Sequence, residues 1–151
     1  MAAPGAMPTP ATSTPSPTPG SSCACVAAVS SRDEARLAGL DPAFAATVRT
    51  LLRMMAIAGH RMFVVCGRRT DAEQAALYAA GRTARGSIVT NCDGVRRRSK
   101  HQDGRAVDCA FVGVDTWGGP WTLYAAVAEG LGLIAGANFR SFPDRPHVET
   151  P

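Results

Sequence analysis

The first 22 residues differ in composition from the rest of the chain, and this difference limits the part of the chain that can fold. They contain six prolines and eight serines or threonines, and no charged residue. Because such a segment has little apolar surface to offset the entropy of ordering a chain, we expect residues 1–22 to form a disordered tail. The 16 basic and 12 acidic residues all lie from Arg32 onward, at the charge density of an ordinary globular domain. The sequence therefore predicts one domain, over residues 30–151.

Apolar runs, cysteines and net charge narrow the class of protein further. No apolar run approaches the roughly 20 residues that cross a bilayer, and the N-terminus lacks the basic and apolar regions of a secretory signal. We therefore expect no membrane span, no signal peptide and synthesis in the cytoplasm. The five cysteines, among them Cys23 and Cys25 in the tail region, are an odd and scattered set, which favours a reducing compartment over a disulfide scaffold. The net charge of +4 favours anionic partners such as cell-wall polymers, nucleic acid or lipid head groups.

Glycine and proline residues divide the remaining sequence into segments with a helical or strand pattern. Three segments have the apolar spacing and end signals of helices, and three are short runs typical of strands. The predicted helices run from Asp41 to Gly59, from about Asp71 to Ala80 and from Gly119 to Gly130, and the predicted strands are Met62–Cys66, Arg105–Val112 and a final short segment His147–Glu149. Helices mixed with short strands and long loops favour an α+β fold over a wound parallel sheet.

Two features between the second helix and the final strand suggest function. Residues 83–100 contain glycines and a basic run but few apolar residues, which predicts a long exposed loop, and long loops in compact domains are often functional. In the strand that follows, Asp108 interrupts an otherwise apolar pattern. A charged residue in the middle of such a strand requires an explanation.

Two of the three histidines lie in polar, turn-rich segments close to a carboxylate. His101 precedes Asp108 by seven residues, and Asp144 precedes His147 by three. A catalytic Zn²⁺ takes three nitrogen or oxygen ligands from the protein and a water molecule in the fourth position. His101, Asp108 and His147 can supply that set, with Asp144 as a general base that acts on the water. By spacing alone, a surface hydrogen-bonded pair is the commoner explanation for a histidine near an aspartate.

Three separated segments resemble one known family. SKHQDGRAVD and DRPHVE resemble the Ser-x-His-x-x-Gly-x-Ala-x-Asp and Asp/Glu-x-Pro-His motifs of zinc peptidases that cut bacterial peptidoglycan. These are D-alanyl-D-alanine carboxypeptidases and dipeptidases of the VanY and VanX kind, and phage L-alanyl-D-glutamate endolysins. GRRTDAEQAALYAAGR is similar to the family's helix entry, and IVTNCDG to its Val-Thr-Asn loop. The resemblance extends over about Asp41 to Glu149 and implies a hedgehog-type fold, a small antiparallel sheet with flanking helices.

Transferred position by position, the resemblance implies a zinc site and a general base. His101, Asp108 and His147 correspond to the zinc ligands. Asp144 corresponds to the base that takes a proton from water and then passes it to the leaving amine.

The resemblance also assigns residues around that centre. Arg69 matches the family arginine that steadies the developing oxyanion or a substrate carboxylate, a task suited to a permanently charged planar group. Ser99 and Glu149 either orient a ligand through hydrogen bonds or have a plain structural role. Arg68 stands where the family usually has tyrosine, so we expect a more basic wall of the substrate groove. The sequence GLIAGANF lacks the two tryptophans that the family often has there, which leaves substrate choice open.

The sequence therefore predicts a monomeric zinc metallopeptidase that hydrolyses a bond in peptidoglycan stem peptides. The bond is either D-Ala-D-Ala, as in a carboxypeptidase, or L-Ala-D-Glu, as in an endopeptidase of the endolysin type. The route to the cell wall and a phage or cellular origin remain open. One alternative is a catalytically inactive cell-wall-binding module on the same fold, against which the complete set of site residues argues. A second alternative is nucleic-acid binding through the basic run, against which the low aromatic content and the lack of a reader motif argue.

Overall fold

Four helices and one antiparallel sheet form the part of the chain that the computed structural model describes, residues 29–115 and 118–151. The elements are α1 (Ser31–Leu37), α2 (Pro42–Ile57), β1 (Met62–Cys66), α3 (Asp71–Ala79), β2 (Ala106–Phe111), α4 (Trp121–Gly130), β3 (Ile134–Ala135), a 3₁₀ helix (Gly136–Asn138) and β4 (His147–Glu149). The expected α+β fold with a small antiparallel sheet is confirmed. The predicted tail and the cysteine pair at positions 23 and 25 lie outside the described residues.

Local sequence signals explain where the main helices begin. The Asp41 carboxylate accepts the backbone N–H groups of Ala43 and Phe44 at the start of α2, and Pro42 occupies the first helical position, where its missing N–H costs no hydrogen bond. Thr70 begins α3 with both hydrogen bonds of the capping box, as its spacing predicts. No helix in residues 29–115 and 118–151 is long and apolar enough to span a membrane.

The sheet has the strand order β1-β2-β4-β3 with every pair antiparallel. Alternation along β2 separates its side chains into two faces. Val107, Cys109 and Phe111 are buried in the hydrophobic core, together with the apolar side chains of α2 and α4. Asp108 lies on the other face, with Cys66 of β1 and His147 of β4 as its register partners. One row of residues across the sheet therefore faces away from the core.

The sequence patterns did not predict helix α1, which covers the outer edge of β1. The buried Asp33 carboxylate accepts the backbone N–H of Val64 at 2.8 Å, and Arg36 donates to the Val64 carbonyl oxygen. Ser30 caps the helix by accepting the Asp33 N–H. A helix of seven residues is too short to show a clear apolar period, so only its contacts with β1 identify it.

Candidate metal centre

Three of the predicted site residues each contribute one possible ligand atom to a small triangle. His147 Nδ1 lies 3.1 Å from Asp108 Oδ1, and His101 Nε2 lies 3.3 Å from the same oxygen. The two ring nitrogens are 3.3 Å apart. Ligand atoms in a tetrahedron with zinc bonds of about 2.0–2.2 Å are separated by about 3.3–3.6 Å. The triangle therefore has nearly the size that three zinc ligands require.

The outer nitrogen of each histidine is held by an oxygen acceptor. His101 Nδ1 donates to the carbonyl oxygen of Gly67 at 2.9 Å, and His147 Nε2 donates to the Glu149 carboxylate at 3.0 Å. Because these oxygens only accept, the neutral rings have their lone pairs on the nitrogens that face Asp108. Three lone-pair atoms that converge in this way need either protons or a cation between them. The donor set and its tautomers therefore fit a metal ion.

The charges of these groups support the same conclusion. Burial alone raises the pKa of Asp108, but hydrogen bonds from the two histidines outweigh it and hold that pKa well below its usual range. Burial disfavours the charged form of His101, yet hydrogen bonds to Asp108 and Cys66 raise its pKa to about 9. The pKa of His147 is also raised, because hydrogen bonds to Asp108 and Glu149 outweigh its burial. Without a metal, protons occupy the place of a cation, so metal and protons compete for this site.

Asp144 lies beside this centre on the loop before β4. One carboxylate oxygen of Asp144 lies within 4.8 Å of ligand atoms of both Asp108 and His147. Burial, together with the charge of Asp108, raises the pKa of Asp144. A partly buried carboxylate with a raised pKa suits a proton acceptor that works near neutral pH. The distance alone is also compatible with a further ligand.

Glycine at position 136 allows this loop to lie close to the sheet. A Cβ atom there would lie 2.5 Å from the carbonyl oxygen of Asp144 and 2.8 Å from Cβ of His147. The Gly136 carbonyl oxygen accepts the Asp144 backbone N–H at 2.8 Å. Tyr124 of α4 donates its hydroxyl to the carbonyl oxygen of Pro146 at 3.2 Å. Contacts with the core therefore fix the backbone on both sides of Asp144.

Arg69 is held at the centre by three acceptors. Its guanidinium lies 3.5 Å from Asp108 Oδ2, 3.4 Å from Cys66 Sγ and 3.0 Å from Gln74 Oε1. Gln74 is fully buried and donates to the carbonyl oxygen of Cys92 at 2.8 Å. The charge of Arg69 is therefore fixed beside the predicted ligands.

Ser99 and Glu149 contact the two histidines in different ways. Glu149 binds the ring of His147, whereas Ser99 Oγ accepts the backbone N–H of His101 at 3.3 Å. Ser99 therefore holds the backbone of the turn at His101 rather than its ring.

Cys66 belongs to this site although its sequence pattern did not indicate it. Its sulfur lies 4.0 Å from His101 Nδ1, and Cys66, His101 and Asp108 form a second group of possible ligands within 4.8 Å. Burial raises the pKa of the thiol, but the hydrogen bond to His101 and the charge of Arg69 outweigh it and lower that pKa. The only signal in the sequence is its position at the end of β1, directly before the arginine motif.

The centre lies in a cleft of about 650 Å³. Two loops line it, residues 89–101 and 139–147, together with Arg69 and Leu77. Arg68, expected in a wall of the substrate groove, does not line this cleft. Its side chain lines two neighbouring cavities instead, because it turns toward the Gln102 carbonyl oxygen.

The fold is similar to the folds of solved peptidases. It matches the L-Ala D-Glu endopeptidase ChiX of Serratia marcescens with a TM-score of 0.56 and 24% identity, covering 80% of this chain and 87% of that chain. It also matches the vancomycin resistance D,D-pentapeptidase VanY, solved in complex with Zn(II), with a TM-score of 0.56 and 17% identity, covering 74% of this chain and 72% of that chain. These likenesses show that the chain has the fold of this class of peptidases.

Sequence comparison shows similarity to a known peptidase family. The family model for D-alanyl-D-alanine carboxypeptidase matches residues 93–150, which include His101, Asp108 and His147. The chain is 32% identical over 96 residues to the peptidoglycan L-alanyl-D-glutamate endopeptidase CwlK of Bacillus subtilis (strain 168). That match covers 55% of this chain and 56% of CwlK, so the chain spans about half the length of this relative. Residues 93–150 are therefore similar to the D-alanyl-D-alanine carboxypeptidase family, in agreement with the resemblance found in the motifs.

Proposed function

We propose that the protein is a zinc-dependent peptidase that hydrolyses a bond of the peptidoglycan stem peptide. The observation that supports this most directly is the triangle of His101 Nε2, Asp108 Oδ1 and His147 Nδ1, with edges of 3.1–3.3 Å. The names of CwlK and ChiX supply the substrate class, since both are L-Ala-D-Glu endopeptidases. They favour this bond over the terminal D-Ala-D-Ala bond.

In this proposal His101, Asp108 and His147 hold the metal, and the Gly67 carbonyl oxygen and Glu149 keep the two rings in the tautomer that binds it. When bound, Zn²⁺ polarises a carbonyl group and lowers the pKa of water. The Gly67 carbonyl oxygen and Glu149 orient the two rings so that the lone pairs of the ligand nitrogens face the metal.

Asp144 and Arg69 perform the remaining steps. Asp144 takes the proton from the attacking water and delivers it to the nitrogen of the leaving amine. Asp144 is therefore a carboxylate again at the end of each cycle. The raised pKa of Asp144 makes its carboxylate a stronger proton acceptor than an exposed aspartate. The guanidinium of Arg69 stabilises negative charge that develops on the carbonyl oxygen, or binds a carboxylate of the substrate.

The test is hydrolysis of purified peptidoglycan by metal-free and zinc-loaded protein. We expect activity only with zinc, and mass spectrometry of the released fragments identifies the bond. Free D-alanine indicates carboxypeptidase action, whereas a new N-terminal D-glutamate indicates endopeptidase action. Zinc binding without any fragment release would favour the inactive cell-wall-binding module.

The proposal includes the state and place of action. We propose a monomer that acts on the cell wall in the manner of an endolysin. Light scattering of the purified protein tests the monomer, and lysis of cells that express the protein with and without a membrane-permeabilising partner tests the route to the wall. A stable dimer, or lysis that needs no such partner, would contradict these parts of the proposal.

A further inference from the structure

The basic side chains that line the cleft differ in how their charge is neutralised. Arg69 contacts Asp108 at 3.5 Å. Arg98 contacts Asp103 at 3.1 Å and Asp71 at 3.5 Å. These two arginines therefore have carboxylate partners within the protein.

Arg97 and Arg140 also line the cleft, but neither forms an ion pair with any residue in the described part of the chain. Both are exposed. The remaining basic residue of the cleft, Lys100, lies 3.3 Å from the carbonyl oxygens of Thr150 and Pro151. Arg97 and Arg140 are thus the two basic side chains of the cleft that make neither an ion pair nor a side-chain hydrogen bond within residues 29–115 and 118–151.

Contacts within the protein hold the segments on which both arginines stand. The Asp93 carboxylate accepts the backbone N–H groups of Val95 and Arg97 at 2.9 Å and 2.8 Å, which fixes the turn that presents Arg97. Arg140 directly follows Phe139, whose ring packs against the ring of His147 at 5.6 Å. The segments that carry both arginines are therefore held by contacts within the protein.

We propose that Arg97 and Arg140 form a second anion subsite, which selects stem peptides with a free carboxylate on D-glutamate over peptides with a carboxamide there. This inference rests on the proposed function. A guanidinium binds a carboxylate through two parallel hydrogen bonds and an ionic attraction, whereas a carboxamide offers one acceptor and no charge. The acidic residues of the cleft, Asp108, Asp144 and Glu149, lie at the metal centre and leave the two arginines free for substrate.

The test uses two synthetic stem peptides that differ only in a carboxylate or a carboxamide on D-glutamate. We expect the wild-type protein to prefer the carboxylate peptide by about tenfold in kcat/KM. Arg97→Gln and Arg140→Gln should each reduce this preference about two- to fivefold, through a raised KM for the acidic peptide, and the double variant should abolish it. Added salt should weaken the preference of the wild type, because it screens exposed charges.

Two neighbouring arginines provide matched controls. Arg96 lies beside Arg97 but does not line the cleft, and Arg145 shares a loop with Arg140 but lines a different cavity. Arg96→Gln and Arg145→Gln should therefore leave the preference unchanged. Equal kcat/KM for both peptides in the wild type, or an equal loss of preference in the controls, would overturn the subsite.

A second measurement separates this inference from the proposed function. Equilibrium binding of the two peptides to the Asp144→Asn variant reports the subsite without hydrolysis. If neither peptide is cleaved by the wild type but the carboxylate peptide still binds more tightly through the two arginines, the peptidase activity is refuted and the subsite stands. If both peptides are cleaved and bound equally well, only the subsite is refuted.

Discussion

The two faces of strand β2 contain neighbouring residues in opposite environments. On the core face, Val107 and Cys109 are fully buried among apolar side chains, and burial raises the pKa of the Cys109 thiol to about 12. On the other face, Asp108 contacts two histidines and an arginine, and the thiol of Cys66 in β1 has a lowered pKa. The core face therefore favours uncharged side chains and contributes packing energy. The other face brings charged side chains together on a strand whose backbone is fixed by that packing.

Substitutions on the two faces should separate these roles, and the largest effect is expected at the charged face. His147→Ala should lose zinc and activity together, because it removes one corner of the ligand triangle, and it should lower stability because zinc no longer ties β4 to the site. Val107→Ala, on the packed face, should lower the free energy of unfolding by about 2 kcal/mol and keep zinc in the folded protein. Metal analysis and thermal unfolding of both variants measure the difference. Full zinc content in His147→Ala would contradict the ligand assignment.

A second variant tests whether Asp144, beside the charged face, is a metal ligand or the general base. Asp144→Asn keeps the shape of the side chain but removes its ability to accept a proton, so we expect zinc to stay bound and activity to fall ~10²-fold or more. Release of muropeptide fragments and zinc content are measured together. Purification without zinc would make Asp144 a ligand. A wild-type rate would exclude it as the base, and Glu149 would then be the first residue to examine.

Arg69→Lys should have a smaller effect on the same face. The variant keeps a positive charge but loses the planar group that contacts Asp108 and Gln74, so we expect activity to fall by about tenfold with zinc retained. A loss in kcat indicates stabilisation of the transition state, and a loss through KM indicates binding of the substrate. Wild-type kinetics would exclude both roles.

The smallest effect is expected from removal of residues 1–28, which contain no residue of β2. A protein that begins at Val29 should keep the melting temperature and activity of the full chain, because residues 1–28 contain none of the proposed site residues and the composition of residues 1–22 builds no core. Val29 is retained since it packs against the core. A fall of many degrees in the melting temperature would show that the preceding residues stabilise the domain.

The sequence predicted the elements that have strong local signals. The strand Met62–Cys66 and the final strand His147–Glu149 have the predicted bounds, and α3 ends one residue before the predicted Ala80. Helix α1 and the two-residue strand β3 were not predicted, because such short elements depend on contacts with distant segments. Asp33 in α1, for example, is explained only by its bond to Val64.

The candidate site likewise contains some residues that the sequence predicted and others that it did not. Motif spacing identified His101, Asp108 and His147 as candidates, and the structure brings their ligand atoms together. Cys66 and Gln74 were not identified, because each acquires its place through a partner far along the chain or across the sheet. That Arg97 and Arg140 have no ion-pair partner among the described residues could not be predicted either, since the sequence alone does not show which acidic residues reach which arginine.

The contacts of α1 with the outer edge of β1 have a consequence for association between chains. An exposed strand edge offers free N–H and C=O groups to which a strand from another molecule can add, and this is a common start of aggregation. Asp33 and Arg36 occupy both backbone groups of Val64, in the middle of β1. Two charged side chains of a short helix therefore occupy the groups to which another strand would add at the middle of that edge.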